Sequence, residues 1–327
     1  MTFTGRGLYA HSSKEPRRRR SGWLLIGAAV ALVVLVVGGV AAFGSVPLNG
    51  SGGRHSFDGA AAVEIRNQTQ GSVTVRGDGT GDQVEVRAEA SGTPFAEPKE
   101  AADLEGDTVR AAADCVGMWA FTGCRVDYEV TLPRDGGVAV RIETDTGEVE
   151  LESVEGDIHV TTDTGSVSGE NLRGEVAAHT GTGEIDLSRV QGPLEVSSTT
   201  GSISATGSGE SVVADTTTGS VELERFDAET VEVSTTTGEV DVASVFDSLR
   251  VETTTGEVDI QAQGPFSEIV ASSTTGEVDV QVPRGTYRVE GDSTTGERDV
   301  EVETSDSADA LIRVDTTTGE VGVDSDD

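Results

Sequence analysis

The amino-acid sequence predicts an all-β fold: a β-solenoid, parallel β-helix-like, of about ten coils of 18–23 residues, preceded by one transmembrane α-helix. Three observations carry that expectation. A phrase ending in Thr-Gly recurs ten times, with its glycine at 147, 165, 183, 201, 219, 238, 256, 276, 296 and 319, and self-similarity at such a period marks stacked supersecondary units. Apolar and polar residues alternate on both sides of every glycine, the period-two signature of half-buried strands. Aromatic residues make up only 4% of the chain beside 42 glycines, which suits a thin repetitive core better than a wide globular one.

From the N-terminus, residues 1–21 read as a basic tail, 22–44 as the membrane anchor, 45–57 as a Gly/Ser-containing linker, 58–139 as an irregular β cap and 140–327 as the regular solenoid. Trp23 to Phe43, WLLIGAAVALVVLVVGGVAAF, holds 21 residues without a charge, enough for about 30 Å of helix across the hydrocarbon of a lipid bilayer. Arg17 to Arg20 directly precede it, so the positive-inside rule makes the tail cytoplasmic and the bulk extracellular, a single-pass protein of the cell membrane. A cleaved signal peptide is the competing reading, but its apolar core is usually shorter. The formal net charge is −35 although the tail is basic, so the outer part repels nucleic acid and anionic lipid and attracts cations.

Within the repeat, the residue seven before each glycine is apolar in all ten units, from Val140 and Ile158 to Val289 and Ile312. The positions five before, two after and four after are apolar with one exception each: Gly291, Arg298 and Gly169. Each unit is therefore two short strands joined at Thr-Gly, with a second turn before the next unit. A fixed period favours a solenoid, in which each coil pairs in parallel with the next at about 4.8 Å. A meander of hairpins would use the same alternation without requiring identical residues at a fixed spacing.

The pairs Thr237 and Gly238, Thr255 and Gly256, and Thr275 and Gly276 typify the corner. Thr precedes the glycine in all ten units, and the residue three before it is Thr or Ser in all ten. Both positions share parity with the apolar ones, so an uninterrupted strand points them inward, where stacked hydroxyls would bond from coil to coil and escape the cost of an unpaired buried polar group. A bulge that turned them outward would instead present a hydroxyl grid suited to ice or to a polysaccharide, an orientation the parity argues against. Glycine serves the corner because a positive φ or a close backbone approach is free only for it.

Outward positions one and three after the glycine are acidic in many units. Glu239, Asp241, Glu257, Asp259, Glu277 and Asp279 are the metal candidates, for weak Ca²⁺ binding along the ladder; the bland alternative is a solvated face that discourages aggregation. No other cofactor is implied, and neither an EF-hand loop nor a calcium nonapeptide is present. Cys115 and Cys124 frame CVGMWAFTGC on the outer side, where oxidation makes a disulfide pinning a hairpin with Trp119 and Phe121 the expected pairing. No catalytic residue is indicated. There is no Gly-x-Ser-x-Gly elbow or phosphate loop, His159 and His179 lack further metal ligands, and carboxylate pairs recur too regularly to single one out for glycoside hydrolysis.

The ladder of VRIETDTGEVEL and VEVSTTTGEVDV units, introduced by VEIRNQTQGSVTVRGDG and VDYEVTLPRDGGVAVRIETDTG, resembles the bacterial putative-adhesin family, a domain of unknown function with β-strand repeats, over about residues 58–323. The resemblance implies surface display with adhesion or envelope sensing, often behind a single N-terminal anchor, and carries no catalytic residues. The leading expectation is a non-catalytic, surface-exposed scaffold that binds a surface, a polymer or a protein. An envelope-stress regulator is the alternative, disfavoured by a tail of 21 residues that is too short to fold into a signalling domain. An ice- or polysaccharide-binding threonine ladder is the second alternative.

Overall fold

Every regular element of the computed structural model, which describes residues 48–49, 52–93, 96–117, 123–134 and 136–325, is a β-strand. These residues fall within one of the chain's two units, 47–327. The span expected over 22–44 and the aromatic pair Trp119 and Phe121 lie outside the described residues, and no helix among those described is long and apolar enough to cross a membrane.

The coil cornered at Gly165 shows the unit. Ile158–Thr164 enters the corner and Val167–Glu170 leaves it. Ile158 lies in register between Val140 and Val176, and Val167 between Val149 and Ile185, all in parallel ladders. Equivalent residues of successive units therefore stack directly, and the hairpin meander is excluded. Because side chains alternate along a strand, one set of columns is sealed inside: Val240, Val242, Leu249, Val251, Val258 and Ile269 are all 0% exposed. Burying a side chain of this size contributes about 1.5–3 kcal/mol. Along the second turn Val154, Leu172 and Val190 are buried in successive coils; farther on Phe226 pairs with Gly207 and Phe246 with Ala228, and Phe266 and Tyr287 are stacked at 5.4 Å. Gly169, the one non-apolar residue four after a corner, leaves its space to Leu172 and Leu187, whose methyl carbons a Cβ there would meet at 2.8 Å.

Two expectations need correction at the ends of the stack. Residues 58–139 are not simply an irregular cap. Ala62–Asn67 and Val73–Gly79 form a regular coil around Gly71, paired in parallel with the Gly147 coil on one side and with Thr108–Gly117 and Arg125–Pro133 on the other. Its corner is one residue longer, and the slack is held by Asn67, whose amide donates to the carbonyls of Gly71 at 3.1 Å and Val126 at 2.9 Å. Beyond it the ladder turns antiparallel: Ala96–Glu105 pairs with Thr108–Gly117, and Gln83–Gly92 with Arg125–Pro133. Part of the expected linker joins this closure, since Arg54–Asp58 pairs with Gln83–Gly92.

At the opposite end the coils do not stack in sequence order. Leu311–Thr318 pairs on one side with Glu268–Thr275 and on the other with Thr286–Glu290 and Ser293–Thr295. The Gly319 coil is thus wedged between the Gly276 and Gly296 coils, and the Gly296 coil is outermost. Val321–Ser325 belongs to the wedged coil and pairs with Val278–Val282. Arg298 and Gly291, two of the sequence exceptions, both belong to the outermost coil, where an inward position faces no further coil.

Candidate functional site

The corners give the solenoid its most regular chemistry. Corner glycines stack into one ladder in which φ runs from +148 to +159° at positions 147 to 319. A Cβ on Gly165 would lie 1.9 Å from the Gly147 carbonyl oxygen, on Gly256 1.7 Å from that of Gly238, and on Gly319 1.9 Å from that of Gly276. Close approach and positive φ thus both demand glycine here.

The hydroxyl three before the corner points inward, and its partner is a backbone carbonyl rather than the next hydroxyl. Thr180 donates to Gly165 O at 3.0 Å, Ser198 to Gly183 O at 3.2 Å, Thr216 to Gly201 O at 3.2 Å and Ser293 to Gly319 O at 2.8 Å. Each buried hydroxyl thereby caps a corner carbonyl of the coil beneath. Thr144, Thr162, Thr253 and Ser273 stand in the same row without a partner.

The threonine directly before the glycine does not point inward, which overturns the parity assignment. Ladder pairing skips the residue two before the corner, and the two residues preceding the glycine, such as Thr236 and Thr237 or Thr254 and Thr255, are both exposed. A strand that bends into the corner loses its alternation for one step. Thr146, Thr164, Thr182, Thr200, Thr218, Thr237, Thr255, Thr275, Thr318 and Thr295 consequently form one outward column in register.

The six candidate carboxylates lie on the outer surface. Asp241 stacks between Glu222 and Asp259, and Asp259 on Asp279, while Glu239, Glu257 and Glu277 are exposed beside them. The column stops short of Asp299, because the wedged coil places Gly322 against Asp279. Partial burial, with Asp259 and neighbouring glutamates adding repulsion, raises the pKa of Asp241; burial, Glu277 and Asp259 raise that of Asp279. Among the described residues no three His, Cys, Asp or Glu side chains converge on a point that could hold a metal ion. His159 and His179 stand in different columns, and His179 Nδ1 is 2.7 Å from Ser197 Oγ. Cys115 and Cys124 are joined in a disulfide with Cα atoms 6.0 Å apart. An open groove of about 340 Å³ crosses the first strands of the N-terminal coils, lined by Ala62, Ala139, Ala177, Arg141 and His159.

A capped stack of short parallel coils defines the class, an all-β solenoid whose repeated residues build its corners. The chain belongs to the Toastrack DUF4097 family, whose model matches residues 60–324. No curated protein matches the sequence. Similar solved structures include a "putative adhesin" from Bacteroides fragilis (12% identity, TM-score 0.39, covering 84% of this chain and 97% of that one). Another is a "putative adhesin" from Parabacteroides distasonis (10%, TM-score 0.38, 84% and 96%). A "putative lipid binding protein" from the same organism is also similar (9%, TM-score 0.36, 85% and 98%). Likeness at this level adds nothing to the family assignment.

Proposed function

We propose that this chain is a membrane-anchored, surface-displayed scaffold without catalytic activity, holding its solenoid outside the cell to engage a surface, a polymer or another protein. The observation that carries this reading is the division of labour within the repeat. Invariant glycine, inward hydroxyl and apolar columns all serve the backbone ladder, and among the described residues no outward constellation of unlike groups recurs or stands apart as a reaction centre would. A long, regular, strongly acidic surface suits display and resists self-association. The anchor rests on the uncharged run from Trp23 to Phe43 and the topology on Arg17 to Arg20. Protease added to intact cells is expected to digest the solenoid and leave a membrane-embedded stub, as read with antibodies to both ends. Full protection of the solenoid on intact cells overturns the topology.

A further inference from the structure

We infer that the outward threonine columns at the glycine corners form a docking surface for an uncharged, linear polysaccharide lying along the solenoid axis, a partner assignment that rests on the display reading above.

The fold itself does not require these threonines. Thr occupies the position before the glycine in the ten repeat corners, though Gln70 stands there at the longer Gly71 corner, and in all ten the side chain is exposed and its hydroxyl has no hydrogen-bond partner among the described residues. Another outward column on the same strands, four before the glycine, drifts freely: Glu143, Thr161, His179, Ser197, Asp215, Ser234, Glu252 and Ser272. Strand propensity alone would accept Val or Ile at the corner as readily as Thr. A position held constant tenfold within one chain, while its outward neighbour varies and nothing inside the molecule restrains it, answers to something outside the molecule.

Shape and chemistry then narrow the partner. From Gly201 to the end of the stack a second column adjoins the first, formed by Thr199, Thr217, Thr236, Thr254, Thr274, Thr317 and Thr294, so seven successive coils each present two adjacent exposed threonines. Coils repeat at about 4.8 Å, so ten corners make a stripe about 43 Å long. Each threonine offers a hydroxyl that donates and accepts, beside a methyl group, which matches the alternating hydroxyl edges and C–H faces of a sugar ring. Charge disfavours polyanions. Glu239, Glu257, Glu277 and Glu320 flank the stripe on one side and Asp215, Glu252 and Asp315 on the other, all exposed, and no basic residue stands within either column. Nucleic acid, anionic polysaccharide and anionic lipid are repelled, whereas a neutral, hydroxylated chain meets only partners. Individually weak contacts repeated along one rigid axis sum to useful avidity.

The test uses the full chain in neutral detergent, co-sedimented with microcrystalline cellulose, chitin and an alginate gel. Binding to a neutral polymer and not to alginate is expected. The triple variant Thr237→Val, Thr255→Val, Thr275→Val keeps the β-branched shape and removes three hydroxyls; it is expected to weaken that binding at least tenfold with the circular dichroism spectrum and melting temperature unchanged. Glu222→Gln, on another face, is expected to leave binding as it was. Absence of binding to both neutral polymers, preference for alginate, equal binding by the triple variant, or thermal hysteresis of freezing without polymer binding would each overturn the inference. Protection of the solenoid from protease on intact cells sinks the display reading alone, because binding in detergent is read without reference to topology.

Discussion

A single corner glycine carries two burdens, and they can be separated by substitution. Gly59 has φ +72° with nothing within 4 Å of where an alanine methyl would stand, so Gly59→Ala should cost only the left-handed strain, about 1–2 kcal/mol. Gly256→Ala adds a contact of 1.7 Å with the Gly238 carbonyl and should cost about 4 kcal/mol or more, measured by urea unfolding; equal costs would mean that φ alone fixes the residue. Side-chain parity is tested next door. Val240 is 0% exposed and Asp241 half-buried on the outer face, so Val240→Asp should destabilise by several kcal/mol and Asp241→Val by less than about 1 kcal/mol. The carboxylate column adds a pH signature. Asp241 and Asp279 have folded pKa values raised above the ordinary 3.8, so between that value and the raised one the native state holds more protons than the unfolded state. Stability should therefore rise as pH falls through that window and decline as pH rises through it, and the pair Asp241→Asn, Asp279→Asn should flatten the slope of melting temperature against pH. The inward valines and the corner glycines were legible in the sequence, since no other kind of residue suits either place. The threonine before the glycine was not, because Thr is equally at home inside a ladder and on a surface, and hydrophobicity does not record a one-step loss of alternation.

Elements inherit these rules through stacking. The Gly296 coil differs from its neighbours by Gly291 and Arg298 at inward positions, and it is the coil with an open edge. Arg298 pairs with Val321 beside half-buried Val289, Val300 and Val302 but is itself exposed, and a charge at an open edge is a deterrent to strand addition. Arg298→Val should restore the apolar column and promote end-to-end association, seen as a faster species in sedimentation velocity; a variant that stays monomeric would remove Arg298 from that role. The period made the coils legible, but their order was not, because the Gly296 and Gly319 corners use nearly the same phrase and either satisfies the Gly276 coil. The signal was present in the two exceptions, which mark the coil that need not fill a core on both faces. At the other end the Gly71 corner carries the same apolar columns, but the intervening residues 80–138 break the period and hid it as a coil.

For the molecule as a whole, the wedged Gly319 coil ties the far end together. Deleting residues 305–327 should strip amide protection from residues 288–300 as well, because Val289 and Arg288 rest on Ile312 and Leu311 rather than on the Gly276 coil. Hydrogen exchange reads this directly; unchanged protection there would restore the sequential stack. The same topology sets an order in time. A chain that emerges N-terminus first delivers residues 286–304 before it delivers the coil that must lie beneath them. The outer coil therefore waits without a floor until residues 311–325 arrive, and the apolar columns of the Gly276 coil stay uncovered for that interval. Growth coil upon coil can run from Gly147 to Gly276 as the chain appears, but the last step is an insertion, and it closes the stack at a single moment.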